Sequence, residues 1–231
     1  MSVIRINYEN QLNELTDRLV HLGSLTDHAL ANAVQSLVDQ DERLATQVIE
    51  QDSEINELRY RIEEKCYHLL ATQQPMAGDL RTIAAAISIA TNMERMGDHA
   101  SGIAVLSRRI SNERLLKPLV DIPRMAQIGR DMLRDSIQAY LSRDEALARE
   151  IASRDPELNR LNEQILRELL TYMVDGPASI RQGTYLIWVA HDLERWGDRV
   201  KNICERVVYV VTGTLTDFDL HDTDELDAPS I

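Results

Sequence analysis

Four acidic residues draw attention because each lies four positions from a partner with a side-chain oxygen, and because the pattern occurs twice. Glu94 and Asp98 sit in the stretch ERMGD, and Glu194 and Asp198 in ERWGD. A further pair precedes each of them, Asp52 with Asn56 and Asp155 with Asn159. On an α-helix, positions i and i+4 are neighbours on one face, so each pair sets two oxygen donors side by side. Two such pairs on adjacent antiparallel helices would make one hard-cation site in each half of the chain, with oxygen ligands suited to Mg, Mn or Fe. The competing reading is a solvated acidic face whose carboxylates are hydrogen-bonded to Arg on a neighbouring helix. Like charges at i,i+4 repel modestly, and a nearby cation, Arg or metal ion would relieve that. Ala90, Gly97 and Ser101 accompany the first pair. Gly97 and Gly197 each cost about 1 kcal/mol of helix propensity relative to Ala, so close approach of a backbone or a ligand must compensate.

The pairs recur because the chain repeats. IATNMERMGDHASGI (89–103) aligns with VAHDLERWGDRVKNI (189–203) at an offset of 100, with Ala, Glu, Arg, Gly, Asp and Ile identical. QDSEINEL (51–58) aligns with RDPELNRL (154–161) at an offset of 103, keeping Asp, Glu, Asn and Leu. Two matches in the same order and nearly the same register imply a duplicated unit.

Each unit contains three segments with helical periodicity. The first is marked by Leu12, Leu15, Leu19, Leu22, Ala29, Ala33 and Leu37, and the second by Leu44, Val48, Ile55, Leu58, Ile62, Cys66 and Leu69, with a break expected near Asp52. The third starts near Asp79 after a Pro-Met-Ala-Gly turn. The second unit repeats the plan from Ile122-Pro123, through a long helix ending near Asp175-Gly176-Pro177, to a last helix over about 180–212. Segments of roughly 30 residues are about 45 Å long and suit up-down bundles. On the last helix Val189, Leu193, Trp196, Val200, Ile203, Val207 and Val211 form the core stripe, matched by Ile89, Met93, Met96, Ala100, Ile103 and Ile110. Glu94 and Asp98 are expected on the opposite side. The fold class is therefore all-α, with two tandem homologous three-helix bundles over 1–115 and 116–213 and an acidic, disordered tail over 214–231.

Composition agrees with this plan and removes several functions. The 231 residues are 44% apolar and 27% charged, with 9 Gly, 6 Pro and 1 Phe, so the punctuation of a β protein is missing. A formal charge of −13 argues against a nucleic-acid partner, since phosphate backbones are bound through Lys and Arg. Six of the acids, Asp217, Asp219, Asp222, Asp224, Glu225 and Asp227, follow Thr216, where there is no Lys or Arg. The N-terminus lacks the apolar stretch of a secretory signal, and no segment approaches the roughly 18 apolar residues of a membrane span, so a soluble intracellular protein is expected. Cys66 and Cys204 are isolated on apolar helical positions and read as reduced core residues.

Carboxylate-bridged di-metal proteins are the enzymatic alternative, but they need Glu-x-x-His pairs. The residues three before each histidine are Arg18, Leu25, Lys65, Met96, Trp188 and Phe218. No P-loop, HExxH or GxSxG occurs either, so no enzymatic activity is expected. A metal-independent helical adaptor with acidic docking faces is the other alternative.

The segment QPMAGDLRTIAAAISIATNMERMGDHASGI resembles the signature of the PhoU family, in which a Pro-x-x-x-Asp-Leu-Arg turn opens a helix carrying an LERxGDHAxNI-like motif. The resemblance covers about 8–212, with the motif in both halves. It implies a cytoplasmic protein that negatively regulates phosphate uptake and phosphate-starvation signalling. The implied partners are a phosphate ABC transporter, through its ATPase subunit, and a phosphate sensor histidine kinase, which would hold the protein peripheral to the inner membrane; a homodimer is also expected. It further implies multinuclear divalent or iron clusters on the carboxylate pairs, mapped to Asp52, Asn56, Glu94 and Asp98 and to Asp155, Asn159, Glu194 and Asp198. This chain departs from the family pattern at four positions. Asn56 and Asn159 replace an acid, Gly102 replaces Asn, and Lys201, one turn after Asp198, stands where it would compete with a cation in the second bundle.

Overall fold

The computed structural model describes residues 3–218 and contains seven α-helices, with no strand among the described residues. They are α1 (Val3–Asp39), α2 (Glu42–Gln73), α3 (Gly78–Ile110), α4 (Asp121–Ser142), α5 (Glu145–Ala152), α6 (Asp155–Tyr172) and α7 (Pro177–Thr212), with a short 3-10 turn over Met173–Asp175. Helices α1, α2 and α3 pack together, and α4 to α7 form the second group. Each repeat unit buries its apolar stripes in this way, and Leu15, Leu19, Leu22, Ile62, Met93, Met96, Leu193 and Trp196 are all fully or almost fully buried. A fully buried side chain of this kind contributes about 1.5–3 kcal/mol from the removal of apolar surface from water. Val211 is the exception, more than a third exposed, because the stripe ends on Val208 and Val210. Both cysteines are buried and unpaired, and burial pushes their thiols up to about 12.

The break expected near Asp52 is absent, and α2 runs through it. It falls instead in the second unit, at Ser153–Arg154, dividing the expected long helix into α5 and α6. The local cause is Pro156, which has no N–H to donate and is accommodated only in the first turn of a helix. The Ser153 hydroxyl donates to the Glu150 carbonyl at 2.6 Å and so closes α5. The two units also share a turn: Gln40 and Arg143 adopt positive φ, and the following aspartates, Asp41 and Asp144, each accept the backbone N–H of Leu44 and Leu147 at 3.0 Å. These are N-caps that satisfy otherwise orphaned amides.

The bundles meet along two antiparallel helix pairs, α3 with α7 and α1 with α4. The Asn202 amide donates to Asn92 Oδ1 at 3.4 Å, and Asp192 packs against Gly102, where an added Cβ would lie 3.2 Å from Asp192 Oδ2. Positions 92 and 102 correspond to 192 and 202 at the repeat offset, so the two contacts exchange places as in an isologous interface. The departure at Gly102 thus has a structural explanation: Asp192 occupies the space. His99 also meets Asp192, Nδ1 to Oδ1 at 3.1 Å. Between α1 and α4, Arg130 holds Asp27 with two hydrogen bonds of 2.8 and 3.0 Å, and Arg134 adds a third of 2.9 Å.

Residues 111–120 connect the bundles and are strapped down. Buried Gln182 accepts from the Leu116 N–H at 2.6 Å and donates to the Arg114 carbonyl at 3.1 Å, while Gln40 donates to the carbonyls of Ile110 and Glu113 at 3.1 and 2.6 Å. The segment expected to be solvated from residue 214 begins differently. Phe218 donates its backbone N–H to Glu205 Oε1 at 3.1 Å, packs against the core, and has the Arg149 guanidinium 5.8 Å from its ring. The acids from Asp219 onward lie outside the described residues.

Candidate functional site

The ERxGD motifs fall in the middle of α3 and α7, and the upstream pairs lie on the helices packed beside them. Asp52 and Asn56 are mid-helix in α2, whereas Asp155 is in the first turn of α6, directly after the break. The face carrying the acids lies away from the core stripe, with the Asp98 side chain 43% exposed and Glu94 turned toward the neighbouring helix. Ala90 and Gly97 are buried, and the Glu94 side chain, 18% exposed, lies at the edge of the groove between α2 and α3. The glycines explain this closeness. A Cβ on Gly97 would lie 3.1 Å from two carbons of Ile55 and 3.4 Å from Asp52 Oδ1; on Gly197 it would lie 2.5 Å from Leu158 Cδ1 and 3.0 Å from Asp155 Oδ1. Their propensity cost is offset by the close approach of the neighbouring helix, which seats a carboxylate against the glycine backbone.

The asparagines are spent on their own helices. Asn56 donates to Asp52 Oδ2 at 3.0 Å, and Asn159 to Asp155 Oδ2 at 3.3 Å. The other oxygens, Asp52 Oδ1 and Asp155 Oδ1, are buried without a hydrogen-bond partner. The Arg of each motif turns back on its own helix: Arg95 lies 3.2 Å from Asp98 Oδ2 and 3.6 Å from Glu94 Oε2, and Arg195 lies 3.5 Å from Asp198 Oδ2. A cation on the acidic face is thus supplied within each motif, and in the first bundle Arg59 of the neighbouring α2 adds to it at Glu94. His191, which precedes Glu194 by one turn, places Nδ1 3.3 Å from Glu194 Oε2.

Burial raises the Asp52 carboxyl above its ordinary value, the Asp98 charge adds to the rise, and Asn56 offsets part of it. Glu94 is raised for the same reasons, burial and then Asp98, against the pull of Arg95 and Arg59. In the second bundle Glu194 is raised by burial and Asp198, and Asp155 by burial, opposed first by Lys201. Lys201 Nζ lies 3.3 Å from Asp155 Oδ2 and 3.8 Å from Asp198 Oδ1. At the repeat offset its counterpart is Ser101.

The two clusters therefore differ in their fit to a metal ion. Both offer hard oxygens, buried carboxylate oxygens without a hydrogen bond (Asp52 Oδ1 in the first, Asp155 Oδ1 and Glu194 Oε2 in the second) and raised carboxyls that positive charge would relieve; in the first, Asp52, Asn56, Glu94 and Asp98 are the residues that would hold a cation. In the second, an ammonium already lies among the carboxylates. Among the described residues, no three His, Cys, Asp or Glu side chains converge as a preformed ligand set.

The PhoU domain pattern matches residues 19–106 and 122–207, one copy in each bundle, and so covers most of the chain. The chain belongs to the PhoU family. It is 35% identical over 213 residues to the phosphate-specific transport system accessory protein PhoU homolog of Clostridium acetobutylicum, covering 92% of this chain and 97% of that one. The correspondingly named protein of Pseudomonas putida is 36% identical over 208 residues, covering 90% and 81%. The crystal structure of the phosphate transport system regulatory protein PhoU from Streptococcus pneumoniae superposes with a TM-score of 0.85 at 31% identity, covering 91% of this chain and all of that chain. PhoU from Pseudomonas aeruginosa gives the same TM-score at 34% identity, covering 90% of this chain and 100% of that one. Each ERxGD motif lies within a matched segment. No helix among the described residues is long and apolar enough to cross a membrane.

His99, next to Asp98 in sequence but pointing away from it, is engaged with Asp192 in the other bundle. The Asp27 cluster joins residues more than 100 positions apart, which no local spacing signals.

Proposed function

We propose that this chain is a negative regulator of phosphate uptake and phosphate-starvation signalling. It acts in the cytoplasm, as a homodimer, by binding a phosphate ABC transporter through its ATPase subunit and the cognate sensor histidine kinase at the inner membrane. The observation that carries the proposal is membership of the PhoU family over both bundles, together with relatives named as accessory and regulatory proteins of phosphate transport. The sequence offers no GxSxG or paired Cys-His constellation, no P-loop and no Glu-x-x-His pair, and binding is the means of action this reading assigns. A protein acting this way shifts a partner between states for which it has different affinities. Capture by the tagged full-length chain from detergent-solubilised membranes tests the partners: the ATPase subunit and the kinase should both be retained, and retention of neither contradicts the proposal.

A divalent or iron centre on Asp52, Asn56, Glu94 and Asp98 is part of the same reading, supported by the unpartnered oxygen of Asp52 and the raised carboxyls. Such a centre would supply positive charge between α2 and α3. The competing reading, a metal-independent adaptor, is favoured by the Arg95 ion pairs. Replacing Glu94→Gln together with Asp98→Asn separates them. Under the metal reading, bound metal falls and the melting temperature drops in metal-replete buffer, because the stabilisation supplied by mass action is lost. A double variant that melts at or above the wild type would remove the metal reading, since relief of like-charge repulsion alone is worth only a few tenths of a kcal/mol.

A further inference from the structure

The repeat makes the two carboxylate clusters equivalent in sequence, but the structure gives them different neighbours. Asp155 is over nine-tenths buried, its Oδ1 has no hydrogen-bond partner, and its Oδ2 accepts from Lys201 Nζ at 3.3 Å. The Lys201 side chain is only 12% exposed and also lies 3.8 Å from Asp198 Oδ1. A lysine is seldom buried this far unless it is paired. Here it reaches from α7 to the first turn of α6, where the helix N-terminus already favours a carboxylate. In the first bundle the corresponding residue is Ser101, which carries no charge.

We infer that Lys201 is the resident cation of the second cluster, so that Asp155, Asn159, Glu194 and Asp198 take up no metal ion while Lys201 is in place. The inference rests on reading the paired carboxylates as cation ligands, but it holds whether or not the first bundle is loaded. A divalent ion on the Asp155 and Asp198 oxygens would stand at about 2–2.6 Å from them, which sets it against the ammonium that shares those oxygens. Two centres of positive charge at that separation repel strongly in a partly buried site. Metal binding to this chain is therefore asymmetric by sequence. A single substitution at Lys201 should open the second site.

The experiment compares full-length wild type, Lys201→Ser, Lys201→Met, Asp155→Asn and Lys201→Ser with Asp155→Asn. Each is equilibrated with Mn2+ alone, desalted and assayed for retained metal, with melting curves taken with and without Mn2+. Lys201→Met keeps most of the side-chain bulk and loses only the charge, so it serves if the serine variant folds poorly. Either Lys201 variant should retain more Mn2+ per chain than the wild type and gain more thermal stability from Mn2+ than the wild type does. Adding Asp155→Asn should abolish the gain. Asp155→Asn alone should leave the wild-type metal content unchanged. Loss of metal on Asp155→Asn alone, or no gain in either folded Lys201 variant, overturns the inference. Wild type that retains no Mn2+ beside a Lys201 variant that does would support it while counting against the first-bundle centre.

Discussion

Replacing Trp196 with alanine should lower the free energy of unfolding by about 3–5 kcal/mol, the usual cost of deleting a large buried aromatic. Trp196 is fully buried on α7, in the second bundle. Its Nε1–H donates to the Gly129 carbonyl of α4 at 3.1 Å, and Gly129 is shaped to receive it, since a Cβ there would lie 2.9 Å from Trp196 Cδ1. The truncation would therefore leave a cavity between α4 and α7 and remove the second hydrogen bond that the Gly129 carbonyl accepts beside its own helix bond. Trp196→Phe refills part of the volume but not the hydrogen bond, and should cost about 1–3 kcal/mol. Urea denaturation at constant m-value measures both. A loss under about 1 kcal/mol for the alanine variant would mean that this residue does not anchor the second core.

Asp27→Ala should cost about 2–3 kcal/mol, by stranding Arg130 and Arg134 at the junction of α1 and α4. The carboxylate is 10% exposed and accepts three hydrogen bonds from the two guanidinium groups. Removing one partner of a buried pair commonly costs about 3–5 kcal/mol, and the half-exposure of Arg134 reduces that here. The cluster also gives a pH signature. Burial pushes the Asp27 carboxyl up, but the hydrogen bonds and charges of Arg130 and Arg134 outweigh it and hold the group below its ordinary value. A carboxyl whose folded value is depressed contributes stability that is complete above the unfolded value, near 4, and is lost as pH falls through the folded value. Wild type should lose this contribution on acidification below about pH 4. The Asp27→Ala variant has none to lose, so the stability gap between the two proteins should narrow there. A gap that stays constant across that range would contradict the assignment.

The fold was legible mainly through duplication. ERxGD and the Asp-x-x-x-Asn pair fixed the repeat, and helical periodicity fixed most of the core, because both depend on near neighbours along one helix. The structure brings out a third match at the same offset as the second: DERLA (41–45) and DEALA (144–148) each place an N-capping aspartate after a left-handed residue. That alignment would have located the start of the middle helix in both units. The break at Ser153–Arg154 was misplaced because Pro156 in the second unit outweighs the resemblance of the two segments. The close approach over Gly97 and Gly197 was legible from their helix-propensity cost, and Ile55 and Leu158 are the side chains that make it. Asp27 could not be found at all, since its partners lie on a helix of the other bundle. Lys201 was legible from its spacing, and the structure supplies the distances that give it weight.

The most direct measurement of the central proposal is made in cells. If the chain restrains a phosphate importer and its sensor kinase by binding them, deleting its gene removes the brake. Phosphate uptake and expression of phosphate-starvation genes should then remain high in phosphate-rich medium, and the full-length chain supplied in trans should restore repression. Uptake and gene expression that respond to phosphate as in the parent strain would contradict the account.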